Sequence, residues 1–542
     1  MTAPAGLVYR RLRAPRADRS TLIEPPLEAF PALVGQARDA LASAGATLTD
    51  VAGRSLAELR QLAVREVLAA AVAHTSAYRD VPTVVPDDAS IFLAGHQPEL
   101  FHTGVWFKYF VLDDLSRRHG AVAVNLLIDS DVPKQTALRL ITGTPEAPRA
   151  EAVAFDRTGD ARPYEERGIL DRELFNSFER RALDVLRPLI PEPLLADFWP
   201  RVRARADATG NLGDAFAQAR HALEGDWGLT TLELPQSAVC GGNAFRHFAA
   251  HVLAELPRFH DVFNSSLAEY REVNHVRSAA HPVPDLAAHD DFLETPFWIW
   301  TGDDPHRRPL FVARRAAGLE LTDRAGLAVS LAAPSDGTAE AVVAQLAEQA
   351  TRGVKLRTRA LATTMFARLF VGDVFLHGIG GAKYDELTDV IIRRFFGIEP
   401  PPYLTISATL QLPIARPRVD ANDLSRAQQE LRELEYHPER FLDPASVDHS
   451  PKLSQLVETK RRWIATEPSP ANARQRYLEI TAANQGMQDW LDDYRRELAS
   501  RCDSMRLALR RERLLGWREF AFCLFPEKTL RDFLLAFRAN TS

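Results

Sequence analysis

The chain of 542 residues is poor in cysteine and lysine and has no long apolar run. Its three cysteines, Cys240, Cys502 and Cys523, are far apart and form no CxxC pair, which gives no zinc signature and fits a reducing compartment. No uninterrupted apolar span is long enough to cross a bilayer, and Met1–Pro25 carries arginines without an apolar h-region. Neither a membrane nor a secretory signal is therefore expected, and the cytoplasm is the default location. No basic block stands out and the net charge is -6, which argues against nucleic acid as a partner. There is no GxSxG nucleophile elbow and no glycine run ending in the Gly-Lys-Ser/Thr of a P-loop. Basic charge is carried almost wholly by arginine, the lysines being Lys108, Lys134, Lys355, Lys383, Lys452, Lys460 and Lys528. In that background a lysine is a candidate for a compact ammonium at a phosphate or in proton transfer, with chance as the rival explanation.

What is present is ordinary in bulk, with 46% hydrophobic and 25% charged residues. A chain of this length exceeds one core, and about two to four domains are expected. The most informative stretch is Ser90–Val132. Ile91–Ala94 is a short apolar run that stops at Gly95, as a buried parallel strand would. Val105–Arg118 has Val105, Tyr109, Leu112 and Leu115 at helical spacing, with Asp113, Asp114, Arg117 and Arg118 on a polar side and Gly120 as its stop. Ala121–Ile128 is again continuous and apolar. This is a strand–helix–strand unit of the length a parallel crossover needs. Open parallel sheets bind ligands at the carboxyl ends of their strands, where the loop Gly95–Gly104 and the carboxylates Asp129 and Asp131 would meet.

Around that unit the sequence divides into an N-terminal helical segment (1–89), the first part of the core (90–135), a mainly helical insertion (136–289), the second part of the core (290–415) and a C-terminal helical domain (416–542). Helices are expected over Leu170–Pro188, Pro193–Arg205, Asn211–Glu224 with Gly225 as its stop, and Ala244–Tyr270, and a strand over Leu229–Leu234. Glu294–Trp300 is a dense aromatic run that reads as a strand returning to the sheet. It serves either as a wall over a ligand or as ordinary core. Asp373–Leu376, the glycine loop after it, Glu386–Phe396 and Tyr403–Leu412 repeat the strand, loop, helix, strand order. Beyond Asp420, Tyr477, Ile480, Asn484, Met487, Leu491, Tyr494 and Leu498 follow heptad spacing, continued after one slip by Cys502, Met505 and Leu509. A coiled coil is expected, paired with Leu424–Leu434 or with a second subunit as a homodimer. The apolar tail Trp517–Phe537 should dock on a domain.

Two loops carry candidate chemistry. In the first, Gly95, Gln97 and the histidines His96 and His102 precede a helix whose free N–H groups point the same way, with Lys108 one turn inside it. The histidines could donate to a phosphate or move protons. A capped surface loop with satisfied histidines is the competing reading. The second loop, His377, Gly378, Gly380, Gly381, Lys383, Tyr384 and Asp385, repeats that logic, and a tight packing turn competes with it. Asp129 and Asp131 suit a ribose, an amine or Mg²⁺, or merely cap a strand. No metal site is expected, because His96, His102 and His377 follow no known ligand spacing.

At these residues the chain resembles the cysteine-adding enzymes of bacillithiol synthesis. The shared features are Gly95-His96-Gln97-Pro98-Glu99-Leu100-Phe101, the Lys108-Tyr109 pair in reversed order, Asp129-Ser130-Asp131, Gly380-Gly381, Phe396-Gly397, Pro400–Pro402 and Ser407-Ala408-Thr409-Leu410. They run in order through most of the chain, and His96, Glu99 and the His377 loop depart from the family's pattern. The resemblance implies an α/β fold: a Rossmann-like parallel-sheet core akin to nucleotidyltransferases and class I synthetases, a helical insertion and a C-terminal coiled-coil domain, often dimeric. It also implies a ligase that joins cysteine to glucosaminyl-malate by an amide bond. The small-molecule substrate would then be a thiol amino acid or an amino sugar conjugate. An amide bond needs an activated carboxylate, so ATP with Mg²⁺ is the expected cosubstrate. In such an enzyme His96 and His102 would polarise or shuttle protons, Lys108 and Lys383 would offset charge, and Asp129 would hold an amine or ribose. A related nucleotidyltransferase with another small acceptor and a non-catalytic coiled-coil scaffold are the alternatives.

Overall fold

The computed structural model describes residues 7, 12–81, 86, 89–332, 339–417 and 419–539. Strand β1 (Ser20–Glu24) precedes two long helices, α1 (Phe30–Thr47) and α2 (Leu56–Ser76). Next come β2 (Ile91–His96), α3 (Thr103–His119), β3 (Val122–Leu127), β4 (Ala137–Gly143) and β5 (Pro148–Ala154). A helical stretch follows, α4 (Arg172–Leu186), α5 (Leu195–Thr209) and α6 (Leu212–Asp226), then β6 (Leu232–Pro235), α7 (Gln236–Val239), α8 (Asn243–Ala254) and α9 (Leu256–Val273). Strands β7 (Ala288–His289), β8 (Phe292–Thr301), β9 (Arg308–Arg315), β10 (Gly318–Thr322) and β11 (Ala328–Ala332) lead through α10 (Ala339–Thr351) to β12 (Val354–Thr358). The chain continues with α11 (Ala360–Phe366), β13 (Val374–His377), α12 (Ile379–Ile391) and β14 (Tyr403–Thr409). It ends in α13 (Ala421–Tyr436), α14 (Pro444–His449), α15 (Pro451–Ala465), α16 (Ala473–Met487), α17 (Asp492–Leu515), α18 (Glu527–Leu534) and α19 (Ala536–Ala539). Two compact units result, one of 1–140, 151–413 and 518–542, the other of 141–150 and 414–517.

The first unit is a mixed α/β structure built on a six-stranded sheet in the order β1-β14-β13-β2-β3-β6. All neighbours are parallel except the edge strand β1, which runs antiparallel on β14. The continuous apolar runs of β2, β3 and β13 suit strands covered on both faces. From β2 the chain crosses through α3 to β3, and from β13 it crosses through α12 to β14, so the two crossovers step in opposite directions across the sheet. Right-handed crossovers then put α3 and α12 on opposite faces. The side chains agree. Leu93 shares a core with Leu387 and Ile391 of α12, whereas the neighbouring Phe92 meets Phe30 of α1 and His119 of α3.

Helix α3 is capped by His102 and stops at Gly120, whose φ of 61° is left-handed. It has no solvated face of the expected kind, because Asp113 and Asp114 are buried. Asp113 accepts from the Thr230 backbone N–H at 2.6 Å and pairs with Arg117, and Asp114 pairs with Arg118. The C-terminal tail, which belongs to this unit, covers the first turns of the helix: Phe522 lies against Trp106, and Phe533 and Phe537 lie against Phe107. The tail docks as its apolar content suggests, so the C-terminal helical unit ends at residue 517.

Other elements differ from the sequence reading. The aromatic strand β8 does not return to the parallel sheet. It sits in a second, antiparallel sheet of order β11-β10-β9-β8-β12. Strands β6 and β1, from segments read as insertion and N-terminal helices, complete the first sheet. Ala244–Tyr270 is two helices, with Pro257 in the first turn of the second. Helix α6 runs through Gly225, and the turn falls to Gly228 at φ 85°. The stretch read as a second glycine loop is the start of α12. Strand β3, Val122–Leu127, lies one residue inside each end of the apolar run Ala121–Ile128.

In the second unit α13 packs with α17, and α15 with α16. Leu498, Cys502 and Met505 meet Leu424, Ala427 and Leu431 of the same chain. The expected heptad run is divided by a 3-10 turn at Gln488–Trp490, and Tyr477 is 69% exposed. Among the described residues no helix is long and apolar enough to cross a membrane.

A buried ion group ties α6, β6 and α3 beneath the carboxyl end of the first sheet. Arg220 donates to Glu224 at 2.5 Å and to Glu233, and Trp106 Nε1 donates to Glu224 at 2.6 Å. The Arg220 guanidinium also lies over the Tyr109 ring at 4.9 Å. Burial and the neighbouring carboxylate push Glu233 up to about 7, with Arg220 opposing. Arg220→Ala would leave two buried carboxyls uncompensated and should cost about 3–5 kcal/mol. A lowered urea midpoint is the expected result, and an unchanged one would contradict this account.

Candidate functional site

A cavity of about 620 Å³ opens at the carboxyl ends of β2 and β13, where the two crossovers diverge. One wall is the start of α3. His102 accepts the Gly104 N–H on Nδ1 at 3.0 Å. A Cβ on Gly104 would fall against the Ala408 carbonyl oxygen and 2.6 Å from Arg518 Nη2, so only glycine lets α3 begin this close to β14. Arg518, delivered by the tail, donates to Ser407 Oγ at 3.1 Å and to the Ala408 carbonyl at 3.0 Å.

Lys108 projects from the second turn of α3 back towards β2, and its Nζ donates to the Gly95 carbonyl at 2.7 Å. It is 3% exposed, and among the described residues no carboxylate pairs with it. Burial, reinforced by Arg220, lowers its pKa to about 7. The same forces neutralise the histidines. Burial and then Lys108 lower His96 to about 3, and burial and then Arg518 lower His102 to about 4. His96 donates from Nδ1 to the Gln97 carbonyl at 3.1 Å, which leaves Nε2 as an acceptor. His102 uses Nδ1 as an acceptor, which leaves an Nε2–H donor. Neither histidine is a cation at neutral pH, so the positive charge on this wall is that of Lys108 and Arg518.

The opposite wall is the start of α12. Gly378 is its N-cap and offers no side chain, so the first N–H groups have no side-chain partner at the cavity wall. His377 ends β13, stacks on Phe375 with ring centroids 4.3 Å apart and places Nε2 2.6 Å from Asp385 Oδ2. Asp385 also accepts from Arg368 at 2.9 Å. Although burial opposes it, His377 and Arg368 hold the Asp385 carboxyl well below the usual range. Lys383 is exposed at the rim and Tyr384 half-buried beside it.

The roof comes from the second sheet. Along β8, Phe297 and Ile299 go into the core while Trp298 lines the cavity, so the aromatic run is both core and wall. Arg307 lies 4.7 Å over the Trp298 ring and donates to Asp131 at 2.6 Å. The other oxygen of Asp131 accepts from Gln97 Nε2 at 2.6 Å. Asp129 is not in the cavity wall. It is buried, accepts from the Ser237 N–H at 3.0 Å and from the Ser237 hydroxyl, and is pushed up to about 7 by burial and by Glu165.

The fold thus brings together Gly95, His96, Gln97, His102, Lys108, Asp131, His377, Gly378, Gly380, Gly381, Lys383, Tyr384 and Asp385, and leaves out Asp129 and the exposed Lys134. A ribose, amine or Mg²⁺ on Asp129 does not fit its hydrogen bonds, and both oxygens of Asp131 are engaged as well. Sequence reasoning missed Arg518, Ser407, Thr358, Thr363 and Arg307. Their only signals were a docking tail and a strand, with nothing to aim them at one place. Among the described residues His221, Glu224 and Glu233 lie close enough together to share a metal ion. Arg220 takes one oxygen of each carboxylate, and His221 is bonded to Tyr78 at 2.7 Å and Thr231 at 2.9 Å, so both histidine nitrogens are engaged and the carboxylates already carry their cation.

Lys108 carries a cost that depends on pH. Its folded pKa is depressed, so the burial penalty is complete below about 7, shrinks as pH rises and vanishes above the unfolded value near 10.5. Lys108→Met should raise the thermal midpoint of the ligand-free protein at pH 6.5, with the gain over wild type narrowing between pH 7 and 10. A variant less stable than wild type at pH 6.5 would contradict this.

No family model matches the chain, and no curated protein is significantly similar to it.

Proposed function

We propose that the first unit is a Rossmann-like ligase that holds the phosphates of a nucleotide between α3 and α12 and forms a carbon–nitrogen bond in the cavity. The observation that carries this reading is Lys108, a buried ammonium without a counter-ion, aimed into a cavity at the point where the sheet reverses its winding. Ligands of open parallel sheets bind at such points, and helix N-termini favour anions there. A bound phosphate would supply the charge that Lys108 and Arg518 lack. The resemblance to the cysteine-adding enzymes of bacillithiol synthesis supports the same reading, with ATP activating a carboxyl group and an amine attacking it.

The residues fit a nucleotide better than a protein-held Mg²⁺. The first turns of α3 and α12 present N–H groups and Lys108 and Arg518 present cations, while the Trp298 ring is taken up by Arg307 at 4.7 Å and Arg359 at 4.4 Å. Asp129 and Asp131 have their oxygens engaged, so Mg²⁺ would enter with the phosphates. Lys108 and the helix termini would stabilise charge that develops on the leaving group, and Arg518 would orient the carboxyl or phosphate end of the substrate.

Calorimetric titration with ATP, with and without Mg²⁺, tests this. Wild type should bind, and Lys108→Met should weaken binding at least about tenfold, the loss of one charge-assisted contact. Given binding, ATP consumption should depend on cysteine together with glucosaminyl-malate or a related amine. No heat and no thermal shift up to millimolar ATP would overturn the reading.

A further inference from the structure

We propose that His377, oriented by Asp385, is a general base that accepts a proton on Nδ1 from the nucleophile that reacts in the cavity. The proposal rests on the ligase reading for its reaction but on geometry for its residues. Asp385 lies 2.6 Å from Nε2 and is itself held by Arg368, which spans Asp385 and Asp389 at 2.9 and 2.7 Å. The carboxylate beside Nε2 favours the proton on that nitrogen by charge, although the contact lacks hydrogen-bond alignment, and Nδ1 is then the basic nitrogen. The ring cannot turn away, since Phe375 stacks on one face and Tyr403 meets it edge-on at 5.0 Å.

Nδ1 has no hydrogen-bond partner among the described residues, and His377 lines the cavity. The second observation is Gly381. It lies inside α12, where glycine costs about 1 kcal/mol relative to alanine, and it is not in a left-handed conformation. A Cβ there would stand 2.7 Å from His377 Nδ1. Glycine at this position keeps the nitrogen open to the cavity.

The balance of the step is simple. The co-reactant is a nucleoside triphosphate: a carboxylate oxygen of the substrate bonds to its phosphorus, a phosphoanhydride bond breaks, pyrophosphate or the nucleoside diphosphate departs, and the carboxyl carbon then carries a phosphate-bearing leaving group. The amine nitrogen bonds to that carbon, and the bond to the leaving group breaks with its electron pair. The proton from the amine passes to Nδ1, and the resulting imidazolium stays paired with Asp385 until it returns the proton to solvent. His377 would be the catalytic base, and Asp385 a positioning residue.

Diethyl pyrocarbonate, which acylates unprotonated imidazole nitrogen, provides a test that needs no substrate. On the full chain at pH 7, with sites read by peptide mass spectrometry, His377 should react at least tenfold faster than His221, whose two nitrogens are both engaged. Gly381→Ala should reduce the His377 rate at least tenfold and leave the His221 rate unchanged, which also reports that the fold is intact. Equal rates for His377 and His221, or no effect of Gly381→Ala, would overturn the proposal. If ATP fails to bind while His377 reacts as expected, the ligase reading fails and the reactive imidazole at the cavity stands. Where turnover is measurable, Asp385→Asn should lower kcat at least a hundredfold with KM for ATP changed less than threefold. Equal changes in both would mark Asp385 as structural and overturn its role.

Discussion

The parallel pairing of β2 with β13 is the constraint on which the site depends. Phe92, Leu93 and Ala94 lie in register with Val374, Phe375 and Leu376, although nearly the whole first unit separates them in sequence. Each strand is followed by a glycine-containing turn and a helix, and the helices leave on opposite faces because the crossovers step in opposite directions. A gap between the carboxyl ends is unavoidable in that arrangement. The antiparallel sheet closes over the gap through Trp298 and Thr358, and the tail fills its side through Arg518.

Charge is distributed unevenly around this gap. Asp131 is compensated by Arg307, Asp385 by His377 and Arg368, and the deeper carboxyls of Glu224 and Glu233 by Arg220. Among the described residues Lys108 has a carbonyl oxygen and the Tyr109 ring beside it, and no carboxylate. A fold selected for stability alone would replace such a lysine by an apolar side chain of similar volume. Its retention is explained if a ligand provides the missing anion. The same field keeps His96 and His102 neutral, which leaves them as a hydrogen-bond acceptor and a donor of fixed direction.

The β2–α3–β3 unit was legible because its apolar runs end at Gly95 and Gly120 and its helix has the right period. The site was legible to the same depth: strand ends followed by glycines, histidines and a rare lysine point to one place when the strands are parallel. The rest depended on information that is not local. The strand expected over Leu229–Leu234 is found as β6, but nothing local told that it joins the first sheet beside β3. Asp113 is buried against the Thr230 backbone, which arrives 117 residues later in the chain. The start of α12 looked like a loop because Gly378, Gly380 and Gly381 are poor helix formers; His377 requires glycine at 381, while a Cβ at 378 or 380 would meet nothing within 4 Å. Asp129 follows a strand end as Asp131 does, yet the turn Ile128–Asp131 aims them differently, and only Asp131 reaches the wall. The heptad reading failed to foresee the break at Gln488–Trp490 because periodicity continues through a single tight turn.

A crystal structure of the protein with a non-hydrolysable ATP analogue bears most directly on the account. The account predicts phosphate oxygens within hydrogen-bond distance of Lys108 Nζ and of the first N–H groups of α12. An analogue bound elsewhere, with Lys108 still resting on the Gly95 carbonyl alone, would contradict it.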